Sequence, residues 1–242
     1  MTVTSPMAMG DLALGPLAEL LVLRRTWKRS GMVAPVTASD PRSELLRSCL
    51  GARECRLIEQ PGIGLLRTTS DQAMADDAAV GGLTLALNKA LRSGAMPTQS
   101  IQALAGVTAE LIDNIGEHAD HPPDSFAAFQ VGDGDVWLTV ADAGQGVLAG
   151  YQNFAGVDQP EDAQQALEWA ILEHRSRTRK PHRGLGYKKI QRALRSMDAS
   201  IRVRSDDASL EVTGVADAAS WLLREQVHLS GFVVSIHVSW RT

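Results

Sequence analysis

The chain predicts an α+β fold: a two-layer α/β sandwich in which one mixed, mostly antiparallel sheet carries helices on one face. Three observations predict it. From residue 71 the periodicities run as two helices, two strands, two helices and then further strands, an order that does not alternate and so argues against a doubly wound parallel sheet. The two central strand patterns flank a Gly132-Asp133-Gly134 turn, the chemistry of a tight antiparallel connection. With 242 residues, 44% of them hydrophobic, the chain has enough apolar material for a sizeable core.

The elements follow in order. Residues 1–15 are expected to be flexible, and Leu17 to Trp27 suits a short amphipathic helix ending in the basic cluster Arg24, Arg25, Lys28 and Arg29. Residues 30–42, with Gly31, Pro35 and Pro41, read as a linker. Helix signals resume at Ser43 to Leu50, and Arg56 to Thr68 reads as a hairpin about Pro61-Gly62. Asp71 to Leu91 predicts one helix, broken at Gly94 and Pro97, and Thr98 to Ala119 predicts a second, stopped by Pro122-Pro123. Phe126 to Val131 and Asp135 to Ala141 are predicted strands, and Glu161 to His174 and Leu185 to Met197 predicted helices. Two short strands are expected near Ser200 to Arg204 and Ser209 to Thr213, a helix over Ala216 to Glu225, and a closing strand over Phe232 to Ser239. Residues 1–70 are therefore assigned to an N-terminal appendage and residues 71–242 to the main domain.

Bulk properties exclude several classes. A net charge of -4 gives no general attraction to nucleic acid or anionic membrane, so any basic site is local. Cys49 and Cys55 are the two cysteines, and they form neither a CxxC pair nor a cluster with histidines, which fits a reducing compartment rather than a disulfide framework or a zinc site. The apolar stretch Leu12 to Leu23 is interrupted by Pro16 and Glu19 and lacks the cationic lead of a signal peptide. No run reaches the roughly 20 apolar residues that span a bilayer. A cytoplasmic protein without a membrane segment is expected.

Three short segments carry chemistry. On the predicted helix 98–119, Glu110, Asp113, Asn114 and Glu117 fall within about a third of the circumference at roughly 100° per residue, while Leu104, Leu111, Ile112 and Ile115 fall opposite. A solvated polar face is the ordinary reading of such a stripe. This one has no Lys or Arg at helical spacing to support its acids, and it places Asn114 mid-helix, where Asn has poor propensity. A hard cation such as Mg²⁺ takes oxygen ligands and keeps several waters, so one amide oxygen with nucleotide phosphates suffices to hold it. Glu110, one turn earlier, suits an acid that orients or deprotonates water. In the second segment, Val140-Ala-Asp142-Ala-Gly144-Gln-Gly146, Asp142 stands at a strand exit and the two glycines permit close approach of a flat ligand; a tight turn with an Asp cap explains it equally. In the third, Arg183-Gly184-Leu185-Gly186-Tyr-Lys188-Lys189, a glycine turn opens a helix. Helix N-termini favour phosphate, and the lysines that follow suit an anion between them. A plain glycine turn remains the simpler reading of this segment alone.

In this order, and across about Thr98 to Trp240, the three segments together resemble the ATP-binding site of the GHKL superfamily. That superfamily holds gyrase B subunits, heat-shock chaperone ATPases, mismatch-repair MutL proteins and sensor histidine kinases. The resemblance implies a Bergerat-type sandwich with ATP and Mg²⁺ as ligands. It implies that Glu110 activates water, that Asn114 holds magnesium and that Asp142 receives the adenine amino group. Gly144 and Gly146 would face the base. Arg183, Gly184, Leu185, Gly186 and Lys188 would face the phosphates, with the basic run Arg175 to Arg183 as an ATP lid. Family members often carry Gly-Thr at the start of the closing strand, where this chain has Gly231-Phe232.

The function implied is a magnesium-dependent, slow ATPase that acts as a nucleotide-gated switch for a protein partner, with a homodimer as one arrangement. A Ser/Thr kinase of anti-sigma type and a non-hydrolysing ATP-gated binding module are the alternatives. A complete sensor kinase is not expected, because none of the histidines at 118, 121, 174, 182, 228 and 237 precedes the nucleotide site.

Overall fold

The computed structural model describes residues 14–16, 18–19, 22–23, 56–69, 77–118, 124–142, 144–153, 158–175, 186–214 and 220–240. Its strands are β1 (Arg56–Gln60), β2 (Ile63–Thr69), β3 (Asp124–Val131), β4 (Asp135–Asp142), β5 (Asp198–Thr213) and β6 (Ser220–Ser239). They form one sheet in the order β1-β2-β3-β4-β6-β5, and every described pairing is antiparallel. The helices are α1 (Asp77–Ser93), α2 (Thr98–His118), α3 (Gly146–Gln152), α4 (Ala163–Leu167) and α5 (Gly186–Leu194), with a π-helical turn at Glu168–Leu172 directly after α4. The fold is α+β. Among the described residues no helix is long and apolar enough to cross a membrane.

Strand alternation sorts side chains into two layers. Leu66, Ala127, Phe129, Val136, Leu138, Val140, Val234, Ile236 and Val238 join the buried faces of α1, α2, α4 and α5 in the larger core. On α2, Ile101, Leu104, Thr108 and Leu111 recur every three or four residues and are all buried, as one face of an amphipathic helix requires. The other side of the sheet is also covered. Leu14, Ala18 and Val22 lie four residues apart in a helical segment and pack on Leu65, Phe126, Ala128, Ala141, Leu229 and Val233. Glu19 of the same segment accepts a hydrogen bond from Arg202 Nε at 3.0 Å, and Arg202 also pairs with Glu211. Helices on a single face therefore describe residues 71–242 alone, because the N-terminal residues supply a second, smaller layer. β1 and β2 continue this sheet from β3.

Two stretches differ from the sequence expectation. The expected pair of short strands after residue 200 is one 16-residue strand, β5, with its register broken between Ser205 and Ala208. The break shifts the alternation by one, so that Ala199, Ile201 and Val203 before it and Ala208, Leu210 and Val212 after it all face the larger core. The helix expected over Ala216 to Glu225 is instead strand wherever it is described: Ser220 to Glu225 pair with Ala208 to Thr213. Helix-forming residues there are overridden by a ready hydrogen-bonding partner across a short hairpin. The helix expected over Glu161 to His174 is split into α4 and the π turn.

Candidate functional site

Helix α2 presents Glu110 and Asn114 toward the start of α5. The two elements meet so closely that a Cβ built on Gly186 would stand 3.0 Å from Glu110 Oε1, 3.1 Å from Asn114 Nδ2 and 3.2 Å from Asn114 Oδ1. The first and third segments, with Asn114 and Gly186 standing 72 positions apart in sequence, are thus side by side. Lys189, one turn into α5, donates to Glu110 Oε2 at 3.2 Å. The acid stripe of α2 therefore does have a cationic partner, supplied from another helix rather than from helical spacing on its own. With Lys189 two-thirds exposed, such a pair contributes at most about 1 kcal/mol. It orients the carboxylate without locking it.

Asn114 Nδ2 is buried and has no hydrogen-bond partner among the described residues. Leaving a buried amide unsatisfied costs about 1 to 3 kcal/mol, so the position has a requirement that packing does not meet. Asp113 is exposed on the same helix. The side chain of Glu117 lies outside the described residues, as do Arg183, Gly184 and Leu185.

The second segment lies at the far end of β4. Asp142 Oδ1 accepts a hydrogen bond from Gly144 N at 2.8 Å, an Asx-type turn. In the sheet register Ser125, Asp142, Phe232 and Ser205 form one row across β3, β4, β6 and β5. Directly opposed residues share a face, and this row faces the helices, in line with Val140 and Val234. Phe232 meets Tyr187 edge-on with ring centroids 6.3 Å apart. Tyr187 follows Gly186, so the contacts run without interruption from Glu110 and Asn114 through Gly186 and Tyr187 to Phe232 and the row of Asp142.

Gly146 opens α3 at φ +83°. A Cβ there would stand 2.6 Å from Asp206 Oδ1. Asp206 and its neighbour Ser205 cap α3: Ser205 Oγ accepts from Val147 N at 2.9 Å, and Asp206 Oδ2 accepts from Leu148 N at 3.4 Å. Burial pushes the Asp206 carboxyl above its usual range, against the opposing pull of the Ser205 and Leu148 hydrogen bonds. Sequence reading passed over both residues, since Ser-Asp-Asp between two strand patterns reads as a plain break.

The approach to the third segment is anchored. Just beyond the π turn, His174 takes φ +55°. Arg175 N then donates to Trp169 O at 2.8 Å, the Arg175 guanidinium lies 4.2 Å above the Trp169 ring centroid, and Tyr151 OH donates to Arg175 O at 2.8 Å. Gln191 Nε2 of α5 donates to Ile171 O at 2.9 Å, fastening α5 to the π turn. Lys188 is exposed. Burial, reinforced by the Lys188 charge, holds the His174 imidazole below the usual histidine value.

No family model and no curated protein matches the chain. Among solved structures, the chain is similar to one from the crystal structure of the SiaB-SiaC complex of Pseudomonas aeruginosa, at 15% identity over 95% of this chain and 99% of that one, with a TM-score of 0.34. The resemblance carried by the three segments therefore rests on the segments themselves.

Proposed function

We propose that this protein is a magnesium-dependent ATP-binding switch that hydrolyses its nucleotide slowly and signals its state to a protein partner. The observation that carries the reading is the seating of Gly186 against Glu110 and Asn114. A helix N-terminus able to receive phosphate stands beside an acid and an amide, the residue types that magnesium-triphosphate chemistry requires.

The residues present fit such a ligand. Asn114 is the one amide in a cradle that even a methyl group would crowd, and its Nδ2 is unsatisfied. Because amide oxygen and nitrogen exchange places by a flip of the side chain, either a metal or a phosphate oxygen meets its need. Magnesium would supply charge neutralisation of the phosphates. Glu110 orients a water toward the terminal phosphorus and accepts its proton as the bond between the terminal phosphorus and its bridging oxygen breaks. Lys189 holds that carboxylate in direction. Asp142 accepts from the exocyclic amino group of the base, and Phe232 and Tyr187 give the base an apolar wall. Gly184, Leu185, Arg183 and Lys188 complete the phosphate side of this reading.

Calorimetric titration of ATP with and without magnesium, followed by product analysis, tests it. Glu110→Gln should retain binding and lose turnover by about 10²-fold or more, the scale of general-base catalysis. Asn114→Ala should fold normally and lose the enhancement of binding by magnesium. Failure of the wild-type protein to bind ATP overturns the proposal, and label appearing on a protein rather than as free phosphate transfers it to the kinase class.

A further inference from the structure

The register break between β5 and β6 lies outside the three sequence segments. Asp206 takes φ +54°, a left-handed conformation that disfavours side chains other than Gly, Asn and Asp. Its carboxyl group is half-buried and touches the α3 N-terminus. Strained residues of this kind persist only where their surroundings over-determine them. The surroundings are specific. Ser205 Oγ is within hydrogen-bond distance of three groups: Val147 N at 2.9 Å, Gly231 O at 2.9 Å and Asp206 Oδ2 at 3.0 Å. One hydroxyl thus joins the helix that follows the glycine loop to the residue that precedes Phe232. Gly231 is itself at φ +103°.

From this geometry we infer that Ser205 and Asp206 are positioning residues that hold the start of α3 and Phe232 in mutual register, and so set the nucleobase side of the nucleotide site. The inference rests on the proposed function for its ligand, but its structural core does not. Ser205 pairs with Phe232 and Asp206 with Leu229, so β6 passes through Gly231 and Ser230 between two consecutive β5 pairings. At this irregularity both polar side chains meet the start of α3, with Val147 N donating to Ser205 Oγ and Leu148 N donating to Asp206 Oδ2. Neither residue is close to Glu110 or Asn114 in the contacts described above, so their influence falls on the base rather than on the phosphates.

That division gives the test. Asp206→Ala and Ser205→Ala should each weaken ATP binding about tenfold, the loss of one charge-assisted or buried hydrogen bond. The same variants should bind inorganic tripolyphosphate, which lacks a base, as the wild type does. Asp206→Asn keeps an acceptor oxygen and tolerates the left-handed backbone, so it should restore most of the ATP affinity. Asp162→Ala is the control: Asp162 caps α4 by accepting from Gln165 N at 2.8 Å, away from the site, and its loss should leave the ATP-to-tripolyphosphate ratio unchanged. Hydrogen exchange read without nucleotide should show amides 144–148 and 231–233 loosening together in Asp206→Ala and not in Asp162→Ala. Unchanged ATP affinity in both alanine variants, equal loss of ATP and tripolyphosphate, or an equal effect of Asp162→Ala overturns the inference. Wild-type protein that binds no ATP overturns the proposed function; coupled exchange of the two segments then still separates the positioning pair from an ordinary cap, and uncoupled exchange removes that as well.

Discussion

Gly146 and Gly186 each open a helix and each belong to a glycine-containing segment, yet they are glycine for different reasons. Gly146 has a left-handed backbone and the carboxylate of Asp206 where its Cβ would be. Its requirement is internal to the fold. At Gly186 no left-handed backbone is involved, and the neighbours are the ends of two polar side chains, Glu110 and Asn114. Its requirement is the space it leaves between α2 and α5. The sequence motif is silent on this distinction, because glycine is selected by backbone conformation in one case and by clearance in the other.

The comparison can be broken by substitution. The largest effect is expected at the end of the site that Gly146 serves. Asp142→Asn should weaken adenine nucleotide binding by about 1.5 to 3 kcal/mol, the scale of a hydrogen bond to a charged group, while the turn to Gly144 N survives because an amide oxygen also accepts. ATP and GTP titrations against both proteins check this, and equal affinity for the two nucleotides would remove Asp142 from the base-reading role. Next, Gly146→Ala should destabilise the fold by about 1 to 2 kcal/mol for the left-handed backbone alone, with the Asp206 contact adding to it; thermal unfolding reads this directly. Gly186→Ala should behave in the opposite way. Alanine is the better helix former by up to about 1 kcal/mol, so the melting temperature should hold or rise slightly while magnesium-ATP affinity falls. Equal thermal losses in the two variants would erase the distinction.

The smallest expected effect concerns pH. His174 is held below the ordinary histidine value of 6.5 by burial and by Lys188. A depressed value means that the folded state resists protonation that the unfolded chain accepts. The contribution of His174 is thus complete above the unfolded value and is lost as pH falls through the lower, folded one. Asn at 174 tolerates φ +55° and does not titrate, so His174→Asn should flatten the acid side of the stability profile. An unchanged slope in denaturant melts across that window would show that another group sets it.

Much of the fold was legible in the sequence because its signals are local. The limits of α2 follow from Pro97 and the Pro122-Pro123 stop, and the β3–β4 hairpin from Gly132-Asp133-Gly134. What was not legible depends on pairing at a distance. Residues 220–225 carry helix formers, and only the strand at 208–213 makes them β. Lys189 reaches Glu110 from 79 residues away, so no spacing rule on α2 predicts that pair. The β5–β6 register break has no sequence signature on β5 beyond three polar residues, because its contacts are made with α3. Leu17 to Trp27 could be read as amphipathic, but it could not be read that Leu14, Ala18 and Val22 would cover the side of the sheet opposite the larger core.

The sheet order also sets a timetable. Its three hairpins, β1–β2, β3–β4 and β5–β6, close over short separations, whereas the β2–β3 and β4–β6 seams join residues about 55 and 90 apart at their nearest ends. Short closures are fast and long ones slow, because chain entropy is lost before contacts compensate it. Every segment of the candidate site lies in or beside the stretches that these two seams enclose: Glu110 and Asn114 in the first, the Gly144–Gly146 loop and Gly186 in the second. During refolding the hairpins can therefore form while the candidate site does not yet exist, and its segments are brought together only with the last seam.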